Sequence, residues 1–383
     1  MHALSYFGPG KLRVVDKPDP RIEHPDDVIL RVTRTAICGS DLHLYNGLVP
    51  DTRVGSTFGH EFAGVVEEVG PNVRSLVAGD RVVVPFNIAC GICYFCEKGF
   101  YACCDTSNPM SDIGGGAFGY SHTTGGYEGG QAEYVRVPFA DVGPLKIPAD
   151  MDEEDVLFLS DILPTGYMAA EMGQIQEGET VIVFGCGPVG LFAQKCAWLM
   201  GAGRVIAVDQ VGYRLAFARA YNHVETVNFS EHEDVLAELK RITDGRGADV
   251  CIEAVGCEAS GSYAQKLSGA MKLQAGSPTA LFWSIHAARR GGRVSIVGVY
   301  GPPANLFPVG VAMNKNLTLR LGQCNVRRYM PHLLDLIRSG TVDAKGIISH
   351  RFPLEQAPDA YDIFAKKQDE CIKCVLIPAH AQA

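Results

Sequence analysis

The sequence predicts an α/β protein built from a β-rich lobe and a doubly wound parallel sheet. Three observations carry that expectation. Residues 1 to about 155 hold short β-type runs punctuated by Gly and Pro, "DVILRVTRTAIC", "FAGVVEEVG", "DRVVVPF" and "QAEYVRVPFA". Strands this short and this close read as a barrel or sandwich. From about residue 178 the texture changes to strands alternating with helices, the signature of βαβ units. A glycine-rich turn joins the first of those strands to the first of those helices.

The alternation runs "TVIVFG" (strand), "PVGLFAQKCAWLMG" (helix), "RVIAVD" (strand), then "YRLAFARAYN" and "HEDVLAELKRIT" (helices). It continues with "ADVCIEAVG" (strand), "ALFWSIHAARRGG" (helix) and "RVSIVGVYG" (strand). Six parallel-type strands are expected before residue 323. The tail adds a helix in "MPHLLDLIRSG" and a last strand in "CIKCVLIP", assigned back to the first lobe because the parallel sheet is already complete. The expected domains are therefore residues 1–162 with 324–383, and residues 163–323. The glycine-laden stretch 108–130 reads as a loop whose aromatic residues, Phe118 and Tyr120 among them with His122, either anchor it or line a pocket.

Composition excludes several function classes. A net charge of −9 gives no basic footprint for nucleic acid or an anionic membrane surface. No apolar run reaches the ~18 residues of a membrane span, and the N-terminus lacks a basic segment followed by an apolar one. Thirteen cysteines, several crowded into "CGICYFCEKGFYACC", read as metal binding plus buried thiols in a reducing compartment. A cytoplasmic location is expected.

The turn "GCGPVG" sets Gly185, Gly187 and Gly190, with Pro188 and Val189, in the G-x-G-x-x-G spacing, and Asp209 ends the next strand. The first glycine allows the turn, the second admits a pyrophosphate, and the third lets helix pack on strand. A carboxylate at Asp209 accepts from ribose hydroxyls and repels a 2′-phosphate, so NAD is favoured over NADP. Arg214 pairs with Asp209 or lies over the adenine ribose in that reading. The competing reading of Asp209 is a cap on the following helix.

Cys90, Cys93, Cys96 and Cys104 have the spacing C-x2-C-x2-C-x7-C, suited to a closed tetrahedral zinc site. Spacing alone does not decide between Cys103 and Cys104 as the fourth ligand. "TAICGSDLHLYNG" supplies Cys38, Ser40, Asp41 and His43, and "STFGHEFAG" supplies His60 and Glu61. Together these form an inventory suited to a zinc site with an open position. Asp161, in "FLSDILPTGY", needs a partner because an unpaired carboxylate among apolar residues is costly. The bland alternative is again a helix cap.

"CGSD", "GHE", the four-cysteine loop and "GCGPVG", in this order, resemble the zinc-dependent medium-chain alcohol dehydrogenases over essentially the whole chain. The resemblance implies a GroES-like catalytic domain interrupted by a Rossmann domain, two Zn2+ per chain, NAD, and an alcohol or aldehyde substrate. It implies catalytic zinc ligands at Cys38 and His60, with Glu61 beside the ion, and assigns the second zinc to Cys90, Cys93, Cys96 and Cys104. Ser40 and His43 match a proton relay, with His43 near solvent. Thr165, Val189 and Val297 match positions beside the nicotinamide, and Val299 is assigned to the cofactor as well. Gly39 replaces a basic residue of some relatives, which shifts the pyrophosphate role to Lys373. "SDILPTGY" resembles the formaldehyde dehydrogenase and dismutase subgroup, in which an Asp binds the zinc where many relatives have Cys. The stretch between Gly256 and Gly291 resembles a shortened form of that subgroup's insertion, which argues for exchangeable cofactor. The function expected is hydride transfer between an alcohol or aldehyde and NAD. The alternatives are a formaldehyde dehydrogenase or dismutase, using glutathione or retaining NAD, and a non-catalytic cofactor-binding sensor on the same fold. A homo-oligomer is expected, a tetramer ahead of a dimer.

Overall fold

The computed structural model describes residues 1–112, 114–256, 278–300 and 307–381. The chain divides into two compact units, 1–164 with 325–383, and 165–324. The first boundary falls within the helix Ile162–Gly173.

The first unit is organised around a seven-stranded sheet. Its long central strands, Val28–Ala36 and Glu61–Val69, pair antiparallel. Arg81–Val84 and Leu145–Lys146 extend one side, and Tyr134–Val137 pairs with Val28–Ala36. On the other side Val28–Ala36 pairs with the last strand, Cys374–Ile377, which runs parallel to His350–Pro353. The residues of Val28–Ala36 are β-branched or apolar at most positions and nearly all buried, as expected of a strand covered on both faces. One core cluster gathers Leu30, Phe62, Val82 and Phe118, and another gathers Leu4, Phe58, Tyr361 and Leu376.

Phe118, a pocket candidate from sequence, is core instead. It is 1% exposed and meets Phe62 edge-on at 5.1 Å. Tyr127 anchors its loop by donating to the Ser107 carbonyl at 2.8 Å.

The second unit carries a six-stranded, wholly parallel sheet. Its spatial order is Glu225–Asn228, Arg204–Asp209, Thr180–Phe184, Ala248–Glu253, Ala288–Ile296, Thr318–Leu321. The order reverses at Thr180–Phe184, so the chain winds outward first one way and then the other, and the strand ends at that reversal frame a crevice. The central strands read "TVIVF" and "RVIAVD", and are almost fully buried. The two edge strands, Glu225–Asn228 and Thr318–Leu321, are short and polar-mixed, which limits edge pairing with other chains. The insertion expected between Gly256 and Gly291 lies largely outside the described residues.

Candidate metal centre and dinucleotide turn

The metal centre assembles from three separate stretches of the first unit. Cys38 is extended (φ −101°, ψ 157°) and caps the helix Gly39–Tyr45. The Asp41 carboxylate reaches back to accept from the Cys38 N–H at 3.0 Å, a capping-box arrangement that fixes the start of the helix. His60 and Glu61 open the strand Glu61–Val69, after Gly59 at φ +99°. A side chain on Gly59 would run into Gln131, 2.4 Å away, so the glycine of "GHE" is required by close approach of two loops. Asp161 lies between the 3-10 turn Leu157–Ser160 and the helix Ile162–Gly173. Its neighbours Phe158, Leu159, Ile162 and Leu163 are all 0% exposed.

Cys38, His60, Glu61 and Asp161 bring one ligand atom each within 4.8 Å of one another, all buried. Asp161 Oδ2 lies 3.5 Å from Cys38 Sγ and 3.3 Å from His60 Nε2. Ser40 Oγ stands 3.2 Å from the same Nε2. On the far side of the ring, His60 Nδ1 is 3.1 Å from Asp41 Oδ1, which leaves Nε2 as the nitrogen facing Cys38 and Asp161. Asp41 is in turn reached by Gln131 Nε2 at 3.3 Å, and Gln131 Oε1 accepts from the Tyr361 hydroxyl at 2.8 Å. A carboxylate on the second nitrogen of a metal-binding imidazole sets its tautomer and orientation. The sequence displayed Asp41 within "CGSD" without revealing that role, because the contact depends on where a strand twenty residues later begins.

Burial and neighbouring charge both act on this centre. Burial first, and then the negative charges of Asp161 and Glu61, push the Cys38 thiol up to about 11. Burial would lower His60, but Asp41 and Asp161 hold its imidazole well above the usual range. A buried thiol, imidazole and carboxylates converging this way form a donor set that fits Zn2+.

Lys373 differs from its sequence expectation. It is 0% exposed, and its ammonium lies 2.8 Å from Glu61 Oε1 and 2.7 Å from Oε2. Its Nζ also sits 5.4 Å from the centre of the Phe158 ring. A phosphate contact would require abandoning a buried counter-charge, so the pyrophosphate role is not supported by this geometry. His43, expected near solvent, is 6% exposed, with Nδ1 3.5 Å from the Tyr120 hydroxyl. Burial lowers its pKa.

The four thiols of Cys90, Cys93, Cys96 and Cys104 also converge within 4.8 Å. The Cys93 N–H points at Cys90 Sγ, and the Cys90 N–H at Cys104 Sγ, each at 3.3 Å. Cys103 is exposed and outside the cluster.

In the second unit, Gly185 has φ +101° and its N–H donates to Val208 O at 2.8 Å. A Cβ on Gly190 would lie 2.0 Å from Gly185 O, so the third glycine is demanded by packing. A Cβ on Gly187 would meet only Arg214 Nη1, at 3.7 Å; the open space there is a cradle that a phosphate fits. Gly187 caps the helix Pro188–Leu199, which adds N–H donors and positive potential. Asp209 Oδ2 accepts from Cys186 N at 2.8 Å, and Oδ1 from Gln210 N and Val211 N at 2.7 and 3.0 Å. The carboxylate thus ties the glycine turn to the next strand end. Thr165 is 9% exposed, and Val189, Val297 and Val299 are partly buried.

Comparison with known proteins identifies the family of both units. The alcohol dehydrogenase GroES-like domain matches residues 24–148 and the zinc-binding dehydrogenase domain residues 188–269. The chain belongs to the zinc-dependent medium-chain alcohol dehydrogenases, and is a zinc-dependent oxidoreductase that uses a nicotinamide cofactor. It is 49% identical to the uncharacterized zinc-type alcohol dehydrogenase-like protein AdhB of Bacillus subtilis, covering 99% of this chain and 100% of that one. It is 36% identical to the glutathione-independent formaldehyde dehydrogenase of Pseudomonas aeruginosa, over 94% and 93%. Alcohol dehydrogenase TADH from Thermus sp. ATN1 superposes with a TM-score of 0.83 at 37% identity, covering 99% and 100%. A neighbour from Sinorhizobium meliloti 1021, described as a zinc-binding dehydrogenase bound to NADP, gives a TM-score of 0.78 at 26% identity, covering 98% and 99%. Among the described residues no helix is long and apolar enough to cross a membrane.

Proposed function

We propose that this chain is an NAD-dependent alcohol or aldehyde dehydrogenase with two zinc ions, one held by Cys38, His60 and Asp161 and one by Cys90, Cys93, Cys96 and Cys104. The observation that carries the reading is the convergence of a buried thiol, imidazole and carboxylate, with a serine hydroxyl 3.2 Å from the imidazole nitrogen. When bound, zinc supplies Lewis acidity to a substrate oxygen and NAD accepts the hydride. Ser40 Oγ is placed to hold the substrate hydroxyl and to take its proton. His43, three residues along the same helix, is the acceptor beyond it, and Tyr120 fixes its ring. Asp41 holds His60, and Lys373 holds Glu61 beside the ion. The residues assigned to the cofactor are Gly185, Gly187, Pro188, Val189, Gly190, Asp209, Arg214, Thr165, Val297 and Val299. NAD is preferred over NADP because the Asp209 carboxylate disfavours a 2′-phosphate, although Arg214 Nη1 lies over the turn. A cytoplasmic homo-tetramer completes the proposal, on the strength of the family resemblance.

Asp161 favours one second reading, that of a formaldehyde dehydrogenase, since a carboxylate ligand and a 36%-identical formaldehyde dehydrogenase point the same way. The test is a panel of primary alcohols, aryl alcohols and formaldehyde, with and without glutathione, measured against NAD and NADP. Nicotinamide absorbance surviving gel filtration would mark retained cofactor. No reduction of NAD by any alcohol or by formaldehyde would sink both readings.

A further inference from the structure

A third cluster of metal-binding side chains lies in the first unit, outside both zinc sites described above. His350, Cys371 and Cys374 bring their ligand atoms within 4.8 Å of one another. The sheet builds the site. His350 and Cys374 are direct register partners on adjacent parallel strands, which sends their side chains to the same face. Cys371 enters from the turn before the second strand, and its Sγ lies 3.3 Å from Cys374 Sγ. Ligands on a tetrahedral zinc are separated by roughly 3.4–3.8 Å, so the pair needs little adjustment.

The surroundings match a metal site better than a pair of packing thiols. His350 Nε2 lies 3.1 Å from Asp369 Oδ2, so a carboxylate occupies one ring nitrogen and orients the other. His350 Nδ1 lies 2.9 Å from Ser349 Oγ, and that oxygen stands 4.0 Å from Cys371 Sγ. That oxygen already accepts from the Ile372 and Lys373 N–H groups, so the fourth position falls to a water. Both cysteines are 0% exposed, whereas the His350 side chain is 16% exposed and that of Asp369 77%, which gives an ion a path in from solvent. A divalent cation would bind the two sulfurs as thiolates, their two protons passing to solvent.

We propose that His350, Cys371 and Cys374 form a third site for a thiophilic d10 cation, Zn2+, completed by a water. The site is coupled to the catalytic centre through one residue. Lys373 lies between the two cysteines, its N–H and that of Ile372 both reach Ser349 Oγ, at 3.1 and 2.9 Å, and its side chain holds Glu61. An ion there fixes the backbone from which Lys373 reaches the catalytic pocket.

The experiment is zinc content per chain of the full-length protein, purified with reductant, reconstituted with zinc and desalted. Wild type is expected to carry one zinc more than the Cys371→Ser/Cys374→Ser double variant. His350→Gln, at a partly exposed strand position, is expected to weaken retention of that zinc at least tenfold against a competing chelator. Because the readout is a difference between variants, it stands apart from the count at the other two sites, whose retained zinc also reports a folded chain. Equal zinc content in wild type and both variants would overturn the proposal. So would a Cys371–Cys374 disulfide in freshly isolated protein, seen by mass spectrometry, since that pair would then be a redox couple.

Discussion

Lys373 and Glu61, 312 positions apart in the chain, form an ion pair at 2.7–2.8 Å in which both side chains are wholly buried. Removing one partner leaves the other charge in a site that water does not reach. Lys373→Met is expected to cost about 3–5 kcal/mol of unfolding free energy, with Glu61→Gln/Lys373→Met recovering most of the loss. Denaturant unfolding of both single variants and the double variant measures it. Additive effects would show that the pair is not coupled.

Asp161 is the carboxylate that closes on Cys38 and His60. Asp161→Ala is expected to lose one zinc and nearly all activity, while Asp161→Cys keeps the zinc because the ligand count and net charge are unchanged. Metal content alongside alcohol-dependent NAD reduction checks both. Full zinc occupancy in the alanine variant would reduce Asp161 to a structural residue.

Asp41 stands outside the converging donor set and lies behind the His60 ring at 3.1 Å. Asp41→Asn is expected to lower zinc affinity or activity by about 10–100-fold. Competition with a chelator distinguishes loss of the metal from loss of the fold, which circular dichroism should find intact.

The glycines of the dinucleotide turn differ in what they are for. Gly190→Ala places a methyl 2.0 Å from Gly185 O and is expected to destabilise the second unit by about 1–3 kcal/mol. Gly187→Ala meets nothing nearer than 3.7 Å and should fold normally while binding NAD far more weakly. Thermal melting and coenzyme titration separate them, and equal effects on both readouts would contradict the assignment.

Cys103 and Cys104 are adjacent, but only Cys104 faces the other three thiols. Cys103→Ser is expected to retain the zinc of that loop and Cys104→Ser to lose it, read by metal analysis after dialysis.

The parallel sheet was legible because its central strands are buried on both faces, so "TVIVFG" and "RVIAVD" announce themselves locally. The edge strands Glu225–Asn228 and Thr318–Leu321 carry weaker signals, being short and half exposed. The glycine-rich loop was less legible. Phe118 looks like any loop aromatic in sequence, and only its packing on Phe62 shows it to be core.

Local spacing determined part of the chemistry available to this chain, a dinucleotide turn and a four-thiol loop, while the Cys38, His60 and Asp161 set came from the family resemblance. Such motifs are written over a few consecutive residues because a turn or a chelate loop closes within that length. The tertiary structure decided which charges answer one another. It sets Asp41 behind His60, Lys373 against Glu61 rather than toward a phosphate, and His350 opposite Cys374. Those pairings follow from strand register and from where distant segments enter the core, and no stretch of sequence carries that information by itself.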